Sequence, residues 1–139
     1  MTQLQQDMYK QPIVFDVDGT LTAEDYRLDN LRTLRPNPSM VLVALALSGE
    51  RPLLISTARP EWLREDTEAW LYSHGLSPEE VYMRSSLDDD IPDYLVKLGH
   101  LRKIRDSYGT PYLWVDDNTE VVEMLRSNNV PVIAMSPSL

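Results

Sequence analysis

Five short apolar runs, rich in β-branched and aromatic residues, recur along the chain with longer helical stretches between them. The runs are Ile13-Val14-Phe15, Leu53-Leu54-Ile55, Val81-Tyr82-Met83, Tyr112-Leu113-Trp114-Val115 and Val132-Ile133-Ala134. Between the first two, Pro38 introduces and Gly49 stops a helical stretch over Ser39 to Leu47. Pro60 opens a second pattern through Trp62, Leu63, Trp70 and Leu71, ended by Gly75. A third runs from about Pro92 to Tyr108, with Leu95, Leu98, Leu101 and Ile104 three residues apart. The fourth covers roughly Asn118 to Ser127 and sets Val121, Val122 and Leu125 on one face. Strands alternating with helices predict an α/β fold: a doubly wound, Rossmann-like parallel sheet of about five strands with helices on both faces. Ligands of such sheets bind beyond the carboxyl ends of the strands. The irregular segment from Thr22 to Asn37, rich in charge and turn residues, reads as a small lid or loop over that end.

A length of 139 residues suits one domain spanning residues 1–139. The apolar fraction of 42% and charged fraction of 25% are ordinary for a soluble protein. The chain has no cysteine, which excludes disulfides and thiolate metal sites. MTQLQQDMYK is polar where a signal peptide needs an apolar core, and Met40 to Leu47 is far too short to span a bilayer. A soluble, cytoplasmic protein without membrane contact is the expectation. The formal charge of −9 weighs against a nonspecific grip on long DNA or RNA.

The polar motifs fall at the ends of the apolar runs. Phe15-Asp16-Val17-Asp18-Gly19-Thr20-Leu21 follows the first strand directly. Alternation sets Asp16 and Asp18 on one side, and Gly19 permits a sharp turn. Two carboxylates this close repel unless a cation or a shared proton intervenes. One can stay ionised and attack phosphorus while the other handles a proton. After the second strand comes Ser56-Thr57-Ala58-Arg59. Its hydroxyls and backbone N–H groups suit a phosphoryl oxygen, and Arg59 could pair with phosphate bidentately. In the third helix Asp93 and Lys97 stand four apart, the spacing of a solvated ion pair, and Lys103 competes with Lys97 for the role of phosphate-neutralising cation. The fourth strand closes on Asp116-Asp117-Asn118. Asp16 with Asp117, supported by Asp116, would suit magnesium, which takes oxygen ligands including one or two carboxylates. The alternative is a capped helix start with acids near its positive end.

FDVDGTLT resembles the first motif of the haloacid dehalogenase superfamily. That resemblance implies Asp16 as the nucleophile that becomes aspartyl-phosphate. It implies Asp18 as the general acid and base, with its backbone carbonyl on the metal. Thr57 becomes the second-motif residue, with Ser56 as the alternative if the register slips by one. Val115-Asp116-Asp117-Asn118-Thr119-Glu120-Val121-Val122-Glu123-Met124-Leu125 is similar to the matching stretch of the 3′-phosphatase domain of bacteriophage polynucleotide kinase. Asp93 and Lys97 fit that domain's D-x-x-V-K, and Thr57-Ala58-Arg59 corresponds to its S-G-R. The likeness runs from about Ile13 to Ile133 and departs at Asn118, where the branch has arginine, and at Thr57, where it has serine. It implies a magnesium-dependent phosphomonoesterase acting on the 3′-phosphate of a nucleotide or nucleic-acid 3′ end. Thr57 and Lys97 would hold the transferring oxygens; Ser56, Arg59 and Asp93 would contact substrate; Asp16, Asp18, Asp116 and Asp117 would hold Mg2+. No G-x-x-x-x-G-K-[ST] occurs, so a separate kinase or ligase is the partner this reading points to. The rivals are a phosphatase of 5′-nucleotides or another small phosphomonoester, and a non-catalytic binding domain on the same fold.

Other features read as structural. Asp88-Asp89-Asp90 is a solvated loop. His74 and His100 are isolated, without a partner pattern for zinc or a catalytic dyad. Trp62, Trp70 and Trp114 belong to the core or helix faces, with Trp62 the exception that could stack on a base. Arg27, Arg32 and Arg35 in the lid segment are scattered surface charges rather than a basic patch.

Overall fold

The computed structural model describes residues 10–136, so the polar N-terminal stretch judged to lack a signal-peptide pattern lies almost wholly outside the described residues. Five parallel strands form one sheet: β1 (Ile13–Phe15), β2 (Leu53–Pro60), β3 (Glu80–Arg84), β4 (Leu113–Asp116) and β5 (Val132–Ala134). Their order is β3-β2-β1-β4-β5, with β1 at the centre. Four helices connect them: α1 (Pro38–Ser48), α2 (Arg64–Ser73), α3 (Asp93–Tyr108) and α4 (Thr119–Ser127). This is the α/β, Rossmann-like architecture that the alternating pattern predicts. Among the described residues no helix is long and apolar enough to cross a membrane.

The central strands are apolar without interruption because both of their faces are covered. Ile13, Phe15, Leu53, Ile55 and Val115 pack with α1 and α2 on one side. Val14, Leu54 and Trp114 pack with α3 and α4 on the other. Two-residue alternation therefore decides which layer each strand residue serves. It also decides the fate of the polar residues that follow: Asp16, Ser56 and Asp116 share the α3 side with Val14, Leu54 and Trp114.

One boundary and one helix face differ from the sequence reading. Pro60 does not open a helix; it stays extended (ψ 152°) and bridges Arg84 of β3, so β2 runs on to Pro60. A tight turn over Glu61–Leu63 then leads into α2. In α3 the buried face is Val96, Lys97, His100, Leu101 and Ile104, while Leu95, expected inside, is 41% exposed. The helix is turned to bring a lysine and a histidine inward.

Thr22 to Asn37 is a stapled loop. Thr22 bridges Pro36, Ala23 N–H donates to the Arg35 carbonyl, and Trp70 Nε1 donates to the Leu34 carbonyl at 2.8 Å. Leu31 and Leu34 are buried beneath it. Its arginines are paired with carboxylates: Arg27 with Asp29, Arg32 with Asp66 and Glu65, Arg35 with Glu24. Trp70 and Trp114 are buried, as read from the sequence, whereas Trp62 is 70% exposed.

Candidate active site

A cavity of about 490 Å³ opens at the carboxyl ends of β1, β2 and β4. Asp16, Asp18, Thr57, Arg59, Asp93, Lys97, Asp117 and Asn118 line it, with Asp25 and Tyr26 of the stapled loop at its edge. The strand ends thus bring together carboxylates that lie 100 residues apart in the chain, Asp16 and Asp116.

Asp16 directly follows β1 on the α3 side, and there Lys97 meets it. The Lys97 ammonium donates to Asp16 Oδ1 at 2.9 Å and to Asp116 Oδ2 at 2.6 Å. Thr20 Oγ1 donates to Asp16 Oδ2 at 3.3 Å. Burial pushes the Asp16 carboxyl well above its ordinary value, Lys97 pulls it down, and the charges of Asp116 and Asp117 push it up again. Burial opposes the Lys97 charge, but Asp16 and Asp116 more than offset it and hold the ammonium above its usual range. The spacing of Asp93 and Lys97 suggests a mutual ion pair, and the structure separates them. Asp93 pairs with Arg84 at 2.6 Å on the cavity rim, while Lys97 goes to the floor. Lys103 is exposed on the same helix and is not among the lining residues.

Asp116 is fully buried, and its oxygens are occupied by Lys97, Trp114 Nε1 (3.3 Å) and the Asn118 backbone N–H (3.1 Å). Asp117 is the one that faces the cavity; burial raises its carboxyl, as does the neighbouring Asp116 charge, with Asp16 and Lys97 acting the other way. Asn118 caps α4 through Val121 N–H at 3.1 Å, so its side chain is already engaged. Gly19 makes the close approach of Asp117 possible. Its φ is +77°, and a Cβ there would lie 2.1 Å from Asp117 Oδ2.

Oxygens of Asp16, Asp116 and Asp117 lie within 4.8 Å of one another. With one ammonium among three carboxylates, the cluster keeps an excess of negative charge. Hard oxygen donors with that charge fit Mg2+. Asp18 is expected to reach the metal through its backbone carbonyl, and its side chain lies outside this cluster. Arg59 grips it instead, Nε to Oδ2 at 2.9 Å and Nη2 to Oδ1 at 2.7 Å. Arg59 is itself buried, with Nη1 donating to Thr67 Oγ1 at 3.0 Å. The bidentate pairing expected between Arg59 and a phosphate is thus made to Asp18.

The register of the second motif follows from alternation. Thr57 lines the cavity, its Oγ1 accepting from Arg59 N–H at 3.2 Å. Ser56 points to the α3 side, fully buried, and its Oγ lies 2.7 Å from His100 Nδ1. The sequence pattern reads His100 as isolated, and the structure corrects this. His100 Nε2 lies 2.9 Å from the Met83 carbonyl, so Nε2 carries the proton and Nδ1 accepts from Ser56. Its signal in the sequence was position: His100 follows Lys97 by three, on the same helical face.

Solved structures share this architecture. The chain superposes on a chain of the Pnkp1/Rnl/Hen1 RNA repair complex with a TM-score of 0.81 and 21% identity, covering 92% of this chain and 43% of that one. Another structure of the Pnkp1/Rnl/Hen1 complex gives 0.79 and 20%, with coverage of 94% and 47%. The structure of DsGPDH of Dunaliella salina gives 0.62 and 16%, with coverage of 91% and 24%. At these identities the likeness is one of fold, and the chain spans less than half the length of each. No curated protein shows significant sequence similarity to the chain. The family model for the polynucleotide kinase PNKP phosphatase domain, however, matches residues 10–138. Across nearly its whole length, therefore, this chain belongs to the haloacid dehalogenase-type phosphatase domains of the polynucleotide kinase PNKP family.

Proposed function

We propose that the protein is a magnesium-dependent phosphomonoesterase that removes 3′-phosphates from nucleotides or oligonucleotide ends through an aspartyl-phosphate on Asp16. The observation that carries this reading is the floor of the cavity: Lys97 bridging Asp16 and Asp116, beside Asp117, in a cavity that Thr57 also lines. A carboxylate there is ordered, accessible from the cavity and charge-compensated on one side. A purely structural ion pair would not need the third carboxylate or the open face.

Asp16 attacks phosphorus as the ester P–O bond breaks, and the leaving oxygen takes a proton from Asp18. Water then attacks the aspartyl-phosphate and gives its proton to Asp18; the P–O bond to Asp16 breaks and phosphate leaves. Arg59 fixes the orientation of Asp18 by gripping both of its carboxylate oxygens. Lys97 and the Thr57 hydroxyl hold the transferring oxygens, so that catalysis is mostly positioning and electrostatics. Mg2+, held by Asp16 and Asp117 with Asp116 in support, would offset the charge of phosphate against carboxylate. The Pnkp1 of the structural neighbours belongs to an RNA repair complex with Rnl and Hen1, and an assembly with separate repair proteins is the setting we propose here.

A panel of 3′- and 5′-phosphorylated nucleotides and short oligonucleotides, assayed with Mg2+, tests the reading. Turnover of 3′-phosphates should fall by about a thousandfold or more in Asp16→Asn, and rapid quenching of a phosphorus-labelled substrate should label the wild-type protein only. Retention of more than about a tenth of the activity in that variant excludes Asp16 as nucleophile. Faster hydrolysis of 5′-phosphates would transfer the same machinery to the rival substrate class.

A further inference from the structure

Tyr26 is the one aromatic side chain among the described residues that line the cavity, and Ala58 is the one other apolar contributor. Its ring lies over the Arg59 guanidinium, 4.7 Å from ring centroid to Cζ, and packs partly into the core beneath α1 and α2. The loop that carries it is stapled at both ends, by the Thr22–Pro36 bridge and by the Asn37 N–H to the Leu21 carbonyl at 2.7 Å. Tyr26 is thus presented to the cavity by a fixed support.

Its place beside the reacting groups gives it a role. Arg59 carries the Tyr26 ring on its face and holds Asp18 by its fork. In the proposed reaction Asp18 protonates the leaving oxygen, so the leaving group departs on the Tyr26 side. Among the described residues the rim there carries one arginine, Arg84, and it is paired with Asp93 at 2.6 Å. Asp25 and Asp93 line the rim, and Arg27, Arg32 and Arg35 of the loop are each paired with a carboxylate. An aromatic face in an acidic rim suits a flat, uncharged group better than a polyanion. From this juxtaposition, and resting on the phosphomonoesterase reading above, we infer that Tyr26 is the specificity-determining residue for the leaving group, recognising the nucleoside next to the phosphate by stacking.

The test compares a 3′-phosphorylated dinucleotide with the same molecule bearing an abasic 3′-terminal sugar. Two readouts are taken: kcat/KM with Mg2+, and equilibrium binding to the non-hydrolysing Asp16→Asn protein. The intact dinucleotide should be preferred by roughly five- to a hundredfold in both readouts, the range of base–aromatic stacking. Tyr26→Phe should keep that preference and Tyr26→Leu, which preserves bulk over the core, should lose it. Equal preference in Tyr26→Leu and wild type, or none in wild type, overturns the assignment. The two readings fail separately. Tyr26-dependent binding preference without turnover would retain nucleoside recognition and reject the hydrolytic mechanism. Turnover without Tyr26-dependent preference would do the reverse.

Discussion

Arg59 holds Asp18 by both carboxylate oxygens, at 2.9 and 2.7 Å, from a position that is itself almost wholly buried. The fork leaves Asp18 one orientation, and Thr67 and the Tyr26 ring leave Arg59 one as well. Lysine keeps the charge but lacks the planar fork. Under the proposed mechanism Arg59→Lys should therefore lower kcat by about ten- to a hundredfold and leave KM within about threefold, because the proposed proton carrier would lose its aim while the proposed phosphate pocket would stay. A raised KM at unchanged kcat would return Arg59 to the role of phosphate ligand.

The excess negative charge of Asp16, Asp116 and Asp117 over Lys97 predicts a cation-linked stability. Millimolar Mg2+ should raise the thermal midpoint of the wild-type protein, and a hundredfold excess over Kd corresponds to about 2.7 kcal/mol. Asp117→Asn should remove most of that shift. Asp116→Asn should lower the midpoint without Mg2+, since its buried oxygens serve Lys97, Trp114 and the Asn118 N–H. Thermal scans with chelator and with Mg2+ separate the two; a shift abolished only by Asp116→Asn would reverse their roles.

Gly19→Ala tests the contact between the two acidic strand ends. The substitution places a methyl group 2.1 Å from Asp117 Oδ2 in a backbone of φ +77°. The left-handed conformation alone costs about 1–2 kcal/mol. Denaturant unfolding should show at least that loss, and kcat/KM with Mg2+ should fall further than the stability does, because Asp117 must move. Intact activity with reduced stability would mean that Asp117 tolerates the displacement and is not held to its place by function.

His100 sets an acid limit on stability. Burial drives its ring down to about 4, against the pull of the Met83 carbonyl and with help from the Lys97 and Lys103 charges. An unfolded chain binds a proton on histidine at about 6.5, the folded chain not until about 4, so stability falls as pH drops through that window. The loss reaches ~3 kcal/mol from this residue. Above pH 6.5 both states are neutral and its contribution is constant. Chemical denaturation of His100→Gln across pH 4 to 7 should show a shallower slope than wild type; parallel slopes would mean that the Ser56–His100 contact opens in solution.

Much of this arrangement was legible in the sequence because apolar runs with alternating parity dictate both strands and layers. The strand ends at Asp16, Thr57 and Asp116 could be read, and so could the helix that carries Lys97. What escaped was the turn of α3: spacing by threes put Leu95 inward, while the observed face carries Lys97 and His100. A lysine counts as polar in a hydrophobic pattern, yet here it is drawn in by two carboxylates more than 18 residues away on other elements. The partner of Arg59 escaped for a similar reason. A guanidinium recognises a carboxylate and a phosphate by the same fork, and only the fold shows which one is within reach. Pro60 misled because its fixed φ suits an extended strand as well as a helix start.

The central place of β1 ties chemistry to chain order. The first strand to be made keeps an open edge until β4 is made, because its two edges wait for β2 and β4, and Asp16 meets Lys97 only across 81 residues. Contacts of such separation form late and slow folding. A nascent chain ending before Leu113 carries the whole FDVDGTL segment on a strand with one edge open, without Asp116 and Asp117. Such an edge invites pairing with other chains. Under the proposed mechanism turnover would therefore report completed folding, because a fragment short of β4 lacks Asp116 and Asp117.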